Sequence, residues 1–246
     1  MGFLGLFNRS ALPPADLSVL KTDIHSHFIP GIDDGARNSD ESLEMLADMA
    51  ALGYRKVVTT PHIMSDGYRN TPEIILKGLE RLREKIKEAG IKIEIEAAAE
   101  YYFDYEFEKS IPKNDKLTFG NKYLLWEMSF MNKPENISEV IFEMVTQGYK
   151  PVLAHVERYP FWHNDFAMYE DLARRGTLLQ LNMNSISGHY GASTKKAAEW
   201  LIDNNLISFL GSDCHHKGHL DLIKKALSEK YMHKILASGK LLNDTL

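Results

Sequence analysis

One cysteine, Cys214, stands in 246 residues. No disulfide can form within the chain, and a structural zinc site built on thiolates is excluded. A lone thiol fits a reducing compartment, so the reading is cytoplasmic. Cys214 is not a phosphatase nucleophile either, because the position six residues on, where such a loop needs arginine, is Leu220. No run is long and apolar enough for a membrane span. Residues 1–7 are apolar but short, and Arg9 follows without a basic leader before them, so a signal peptide is not expected. Gly2 lacks the Ser or Thr at position 6 that myristoylation favours, since Leu6 stands there. Positive charge is not in excess: the formal net charge is -5, which argues against a nucleic-acid partner. There is no G-x-S-x-G elbow for a serine nucleophile and no glycine fingerprint after the first strand for a dinucleotide. Internal repeats and low-complexity segments are absent too.

What is present is ordinary in amount and informative in order. Hydrophobic residues make up 44% and charged residues 26%, enough to build the core of one α/β barrel. Residues 1–18, with Pro13-Pro14, read as an N-terminal tail, and 19–246 as a single domain. Short β-branched runs at 19–24, 56–60, 91–98, 123–126, 151–154, 177–181 and 207–210 read as strands. Amphipathic stretches at 40–52, 72–89, 135–147, 165–175 and 193–204 read as helices, with two more at 220–229 and 231–238. Ser39 and Thr71 are expected N-caps, and Gly53, Gly90, Gly148 and Gly176 expected stops. The segment after Glu100, rich in Tyr, Phe and acid, reads as a loop. Strand-helix alternation implies a parallel sheet, and a closed or nearly closed barrel is favoured over a doubly wound sheet.

The chemistry collects at the ends of the strands. The first ends in Asp23-Ile24-His25-Ser26-His27, the second in Thr60-Pro61-His62, the third at Glu100 and the fourth at Glu127. The fifth ends at His155, followed by Glu157 and Arg158, and the seventh in Ser212-Asp213-Cys214-His215-His216. In a parallel barrel these ends meet at one mouth. Residues two apart on an extended segment share a face, so His25 and His27 can reach one ion, as can Asp213 and His215. Any one of these residues alone has a bland explanation, such as a core histidine or a solvated loop acid. Their recurrence at successive strand ends does not. Imidazole with carboxylate suits manganese, iron or zinc, and several carboxylates suit a bridged cluster of the kind that hydrolyses phosphoesters.

These motifs resemble a known family. D-I-H-S-H at 23–27, D-D-G at 33–35, T-P-H at 60–62, A-E-Y-Y at 99–102, A-H-V-E-R-Y at 154–159 and S-D-C-H at 212–215 are similar to those of the bacterial PHP-domain tyrosine phosphatases of capsule and exopolysaccharide systems. The resemblance runs from about residue 20 to the C-terminal end. It implies a distorted, TIM-like (β/α)7 barrel with a trinuclear cluster, usually of manganese, iron or zinc being the alternatives. His25, His27 and Asp213 would hold one ion, with Glu100 bridging to a second completed by Glu127 and His155. Asp34, His62 and His215 would hold the third. The acids at Asp34 and Glu127 place the chain nearer the tyrosine phosphatases than the more distant PHP phosphatases, which carry histidine there.

Arg158 matches an arginine that binds the phosphoryl group. A second family arginine, expected shortly after S-D-x-H, is missing, and His219 or Lys217 stands where it would act. The implied chemistry is attack on phosphorus by a metal-bridging hydroxide, with His219 as general acid. Tyr101 and Tyr102 are expected to line a slot for the substrate ring, with Phe103 and Tyr105 next to them. Phe161, Trp162, His163, Asn182 and Asn184 either border the site or fix loops. The implied substrate is a phosphotyrosine protein, a bacterial tyrosine kinase of polysaccharide assembly. A small-molecule phosphatase of the histidinol phosphate kind and a non-catalytic regulatory module are the competing readings.

Overall fold

The computed structural model describes residues 12–246. The apolar start at 1–7, and with it most of the expected tail, lies outside the described residues. The chain is already packed by Ala15, whose N–H donates to Leu227 O at 2.9 Å, and Leu17 and Leu20 are buried in a short 3-10 helix, Leu17–Leu20. That helix takes the first two residues of the expected strand at 19–24, and the strand itself is confined to Thr22–Asp23.

The strand segments are β1 (Thr22–Asp23), β2 (Lys56–Thr59), β3 (His62–Ile63), β4 (Glu94–Ala97), β5 (Glu100–Tyr102), β6 (Tyr123–Glu127), β7 (Lys150–Leu153), β8 (Leu178–Asn182) and β9 (Ile207–Gly211). The helices are α1 (Ser39–Ala51), α2 (Pro72–Ala89), α3 (Tyr105–Ser110), α4 (Ile137–Thr146), α5 (Ala167–Arg174), α6 (Met183–Ile186), α7 (Ala192–Asp203), α8 (Lys217–Ala226) and α9 (Lys230–Leu236). Local chemistry sets the boundaries. Thr71 accepts from Ile74 N, Pro72 opens α2 where no N–H is needed, and Gly90 closes it at φ 69°. Ile75, Leu79, Leu82 and Ile86 form the buried face of that helix. Asn38, rather than Ser39, caps α1 by accepting from Glu41 N. The expected loop after Glu100 holds α3, capped by Asp104, which accepts from Phe107 N at 2.8 Å.

All ladder pairings are parallel, in two sheets ordered β1-β2-β4 and β3-β5-β6-β7-β8-β9. β3 resumes β2 after Thr60-Pro61, and β5 resumes β4 after Ala98-Ala99, so the segments lie along seven strand paths. Across the interruptions Ala98 N still donates to Thr59 O and Glu100 N to Pro61 O. The first and last paths also meet. Asp213 N donates to His25 O at 2.8 Å and His27 N to Cys214 O at 2.9 Å, and Ser26 and Cys214 form a parallel bridge. Further down this seam Asp23 accepts from the backbone N and the hydroxyl of Ser212. At the opposite end Asn243 donates to Thr22 O and Leu210 O and accepts from Leu210 N.

Two cores follow from strand alternation. Ile24, Val58, Ala98, Leu125, Val152, Ala154 and Phe209 pack together with Phe119 as one cluster inside the ring of strands. Their neighbours Val57, Leu124, Leu153 and Leu210 belong to the larger cluster, which the helices cover. The inner cluster fills the ring below the carboxyl ends of the strands, so polar side chains just beyond it sit over a dry floor.

Candidate metal centre

His25 and His27 lie where β1 runs on past Asp23, and both side chains are fully buried. Ser26 between them turns the other way and donates to Val58 O. Glu100, the first residue of β5, stands opposite. Its Oε2 is 3.1 Å from His25 Nε2, 3.5 Å from His27 Nε2 and 3.2 Å from His62 Nδ1, and its Oε1 is 3.1 Å from His155 Nε2. One carboxylate therefore faces four imidazoles. Asp213 Oδ1 lies 3.3 Å from His25 Nε2 and 3.7 Å from His27 Nε2. Glu127, ending β6, reaches His62 Nδ1 at 3.0 Å and His155 Nε2 at 3.7 Å. Asp34 Oδ1 is 3.5 Å from both His62 Nε2 and His215 Nε2.

All nine ligand candidates thus meet at one mouth. His25, His27 and Asp213 form one compact donor group, and Asp34, His62 and His215 with His27 form another. Glu100 joins His25 and His155 in a third group, and His62 and Glu127 in a fourth. His62 faces both ways, its Nδ1 toward Glu127 and its Nε2 toward Asp34.

The donor set fits cations for a physical reason. His25 Nε2, His27 Nε2, His62 Nδ1 and Glu100 Oε2 are buried and make no aligned hydrogen bond. Leaving such atoms bare costs about 1–3 kcal/mol each. They face one another, so an ion among them would satisfy several at once. The outer nitrogens are already committed. His25 Nδ1–H donates to Gln180 Oε1, His27 Nδ1–H to Asp33 Oδ2 and His215 Nδ1–H to Asp213 O, which leaves Nε2 of each as a lone-pair donor. Among the described residues no thiol joins the cluster. Cys214 is buried beside Met45.

Without ions, protons carry the positive charge. Burial pulls His25 and His62 down, but Glu100, with Asp213 for His25 and Glu127 for His62, outweighs it and pushes both up to about 10. Hydrogen bonding to His215 holds Asp34 down at about 2. Burial raises Glu100, yet His25 and His62 drive it well below the usual carboxylate range. The backbone is strained at two ligand candidates: His155 sits at φ 33° and Asp213 at φ 49°. Gln180 Oε1 secures the first by accepting His155 N at 2.7 Å, and the bond to His25 O secures the second.

The mouth opens into a cavity of about 720 Å³. Tyr68, Tyr102, Phe130, Arg158, Tyr190 and His219 are among the residues that line it. Tyr101 does not reach it. Alternation along β5 turns Tyr101 outward, where it stacks on Phe107 and accepts from Leu117 N. Lys217 also lies outside, on a neighbouring cleft and paired with Glu44, so His219 alone of the two expected stand-ins lines the cavity. Trp162 is buried, and His163 donates to Glu157 O, so this segment fixes a loop. Asn182 supports the site from below by donating to Asp213 Oδ2 at 2.8 Å. Sequence reasoning assigned no role to Gln180 or Tyr190, and none to Asp33 beyond its place in D-D-G. Asp33 and Gln180 carried no strand-end signal that separates an orienting residue from an ordinary polar one.

A ring of parallel strands with imidazoles and carboxylates converging at the carboxyl ends defines the class: an α/β protein of the TIM type whose mouth could hold metal ions. The chain belongs to the CpsB/CapC family of capsular polysaccharide synthesis, whose family model matches residues 21–240. It is 29% identical over 195 residues to the tyrosine-protein phosphatase YwqE of Bacillus subtilis, covering 79% of this chain and 77% of that protein. A solved structure from the pair YwqE of Bacillus subtilis and CpsB of Streptococcus pneumoniae, described as unique metal-dependent tyrosine phosphatases, superposes with a TM-score of 0.78. That match has 26% identity and covers 91% of this chain and 94% of that one. The histidinol phosphate phosphatase HisK of Lactococcus lactis, solved with zinc, L-histidinol and phosphate, shares the fold alone. Its TM-score is 0.52 at 17% identity, over 84% of this chain and 93% of that one.

Proposed function

We propose that this chain is a metal-dependent phosphoric monoester hydrolase that removes phosphate from phosphotyrosine in a protein. The observation that carries the reading is the bare, buried donor set facing inward at the mouth, centred on Glu100. His25, His27 and Asp213 would hold one ion and Asp34, His62 and His215 another, and Glu127 and His155, which approach each other and Glu100, would with Glu100 hold a further one. Bound divalent cations would supply charge neutralisation for the phosphoryl oxygens and lower the pKa of a water. Manganese is assigned first and iron or zinc next, on imidazole and carboxylate donors without thiolate.

The chain's own groups do the rest. Arg158 lines the cavity with its guanidinium fork, suited to two phosphoryl oxygens. Tyr102, Tyr68 and Phe130 offer aromatic faces to a substrate ring. Phenolate is a good leaving group, with a pKa near 10, and asks for little proton donation. His219 suits that limited demand. Burial, with His216 and His215 nearby, lowers it to about 4, which favours its neutral form in the ion-free chain near neutral pH.

The substrate is assigned as a bacterial tyrosine kinase of polysaccharide assembly, supported by the family's role in capsular polysaccharide synthesis. A cytoplasmic site of action fits that partner. No helix of the described residues is long and apolar enough to cross a membrane. The test is a competition of substrates. Chelator-stripped protein, reloaded with manganese, is expected to favour a phosphotyrosine peptide over histidinol phosphate by on the order of 100-fold in kcat/KM. The reverse preference would move the function to small-molecule metabolism, and inactivity on both would favour a regulatory binding module.

A further inference from the structure

We propose that Tyr190 is a positioning residue that holds the Arg158 guanidinium in the orientation needed to grip a phosphoryl group. The proposal rests on the phosphatase reading above. The centre of the Tyr190 ring lies 4.1 Å from the guanidinium carbon, and that of Phe130 lies 4.8 Å from it. A hydrogen-bonded circuit ties the same residues together. Arg158 Nη1 donates to Asp213 Oδ2 at 3.0 Å. Asn182 Nδ2 donates to that same oxygen at 2.8 Å and to the Tyr190 hydroxyl at 3.2 Å. Arg158, Asp213, Asn182 and Tyr190 thus close a ring of contacts.

The circuit links three elements that the chain separates widely: the segment after β7, the end of β8 with the loop before α7, and the segment after β9. It also fixes which edge of the guanidinium is used. One terminal nitrogen is spent on Asp213, while the guanidinium carbon is held over an aromatic ring. The remaining N–H groups stay available for a ligand. An arginine free to sample its rotamers would lose much of that freedom on gripping phosphate, and a stacked one has less to lose. Holding it matters more in this chain than in relatives with a second arginine after S-D-x-H. Among the described residues Arg158 is the one Arg or Lys that lines the mouth.

A tyrosine that merely fills a loop would destabilise the protein when removed but would not act through Arg158. The test is a double-mutant cycle on the full chain loaded with manganese. The readouts are calorimetric affinity for inorganic phosphate, and kcat and KM on a phosphotyrosine peptide. Tyr190→Leu is expected to weaken phosphate binding about 10-fold and to raise KM more than it lowers kcat. Tyr190→Phe, which keeps the ring and loses the hydroxyl, is expected to show a smaller loss. In an Arg158→Ala background, Tyr190→Leu should add nothing. Equal weakening with and without Arg158, or unchanged phosphate affinity in Tyr190→Leu, would overturn the proposal. If Tyr190→Leu does not fold, the same cycle run with Tyr190→Phe decides, because its loss must also vanish without Arg158. Phosphate affinity judges the circuit even if the peptide proves a poor substrate, so failure of the phosphatase reading would be seen separately.

Discussion

Gly35 shows how closely the mouth is built around single residues. A Cβ placed there would sit 2.1 Å from His27 O and 2.4 Å from His27 Cβ, far inside contact distance. The D-D-G motif is therefore one device with three parts. Asp33 fixes the His27 ring, Asp34 faces His62 and His215, and Gly35 lets the loop lie flat on the His27 backbone. Gly35→Ala is expected to displace His27 and weaken metal binding by at least about 10-fold, read by metal titration, while helix content by circular dichroism is retained. Arg158→Ala is expected to lower kcat/KM by about 100-fold with metal content unchanged, because Asn182 still holds Asp213 Oδ2 when the guanidinium is gone. Loss of metal together with activity would give Arg158 a structural role instead. The ligand candidates were legible because strand ends in a parallel fold converge, so position alone linked His25 with Asp213 across most of the chain. Gln180 was not, and Asn182 was legible only as bordering the site or fixing a loop, since an amide in or ending a strand looks the same whether it orients a ligand or pairs with a neighbour.

The elements carry a different lesson at the seam between the first and last strand paths. β1 is only two residues long, and ladder pairing alone leaves it joined to β2. Side chains complete the seam, with Asp23 bonded to Ser212 above and Asn243 bonded to both backbones below. Asn243 is fully buried. Asn243→Ala is expected to cost about 2–3 kcal/mol in urea denaturation, since it strips hydrogen bonds from buried groups of two strands. A cost near zero would mean that the seam needs no side-chain stitch. Alternating strands and helices were readable from hydrophobic period and capping chemistry, as α2 between Thr71 and Gly90 shows. The short α3 was hidden because its six residues are mostly aromatic and charged, and only the Asp104 cap marks it. The expected strand at 19–24 shrank to Thr22–Asp23, its first two residues closing a 3-10 turn in which Leu17 and Leu20, three apart, bury together.

At the scale of the molecule the mouth is a charge balance that bound cations would shift. In the metal-free chain His25 and His62, each raised to about 10, bind protons that metals would displace. The sign follows from linkage. A raised imidazole contributes stability that is complete below its ordinary pKa of about 6.5 and is lost as pH climbs through the folded value. Metal-free protein should therefore melt at a lower temperature at pH 9.5 than at pH 7, whereas manganese-loaded protein should change less. A metal-free melting temperature that is flat across this window would contradict the charge balance. Metal binding near neutral pH should also release protons, detectable by calorimetry in buffers of different ionisation enthalpy.

The most direct test of the account is to count metal and activity together. Protein stripped with chelator would receive manganese stepwise, with bound metal measured by elemental analysis and phosphotyrosine hydrolysis followed at each step. The account predicts no activity in the stripped chain, and activity that returns only as a multi-ion cluster of roughly three ions per chain fills. Full activity in stripped protein, or activity complete with a single ion bound, would contradict it.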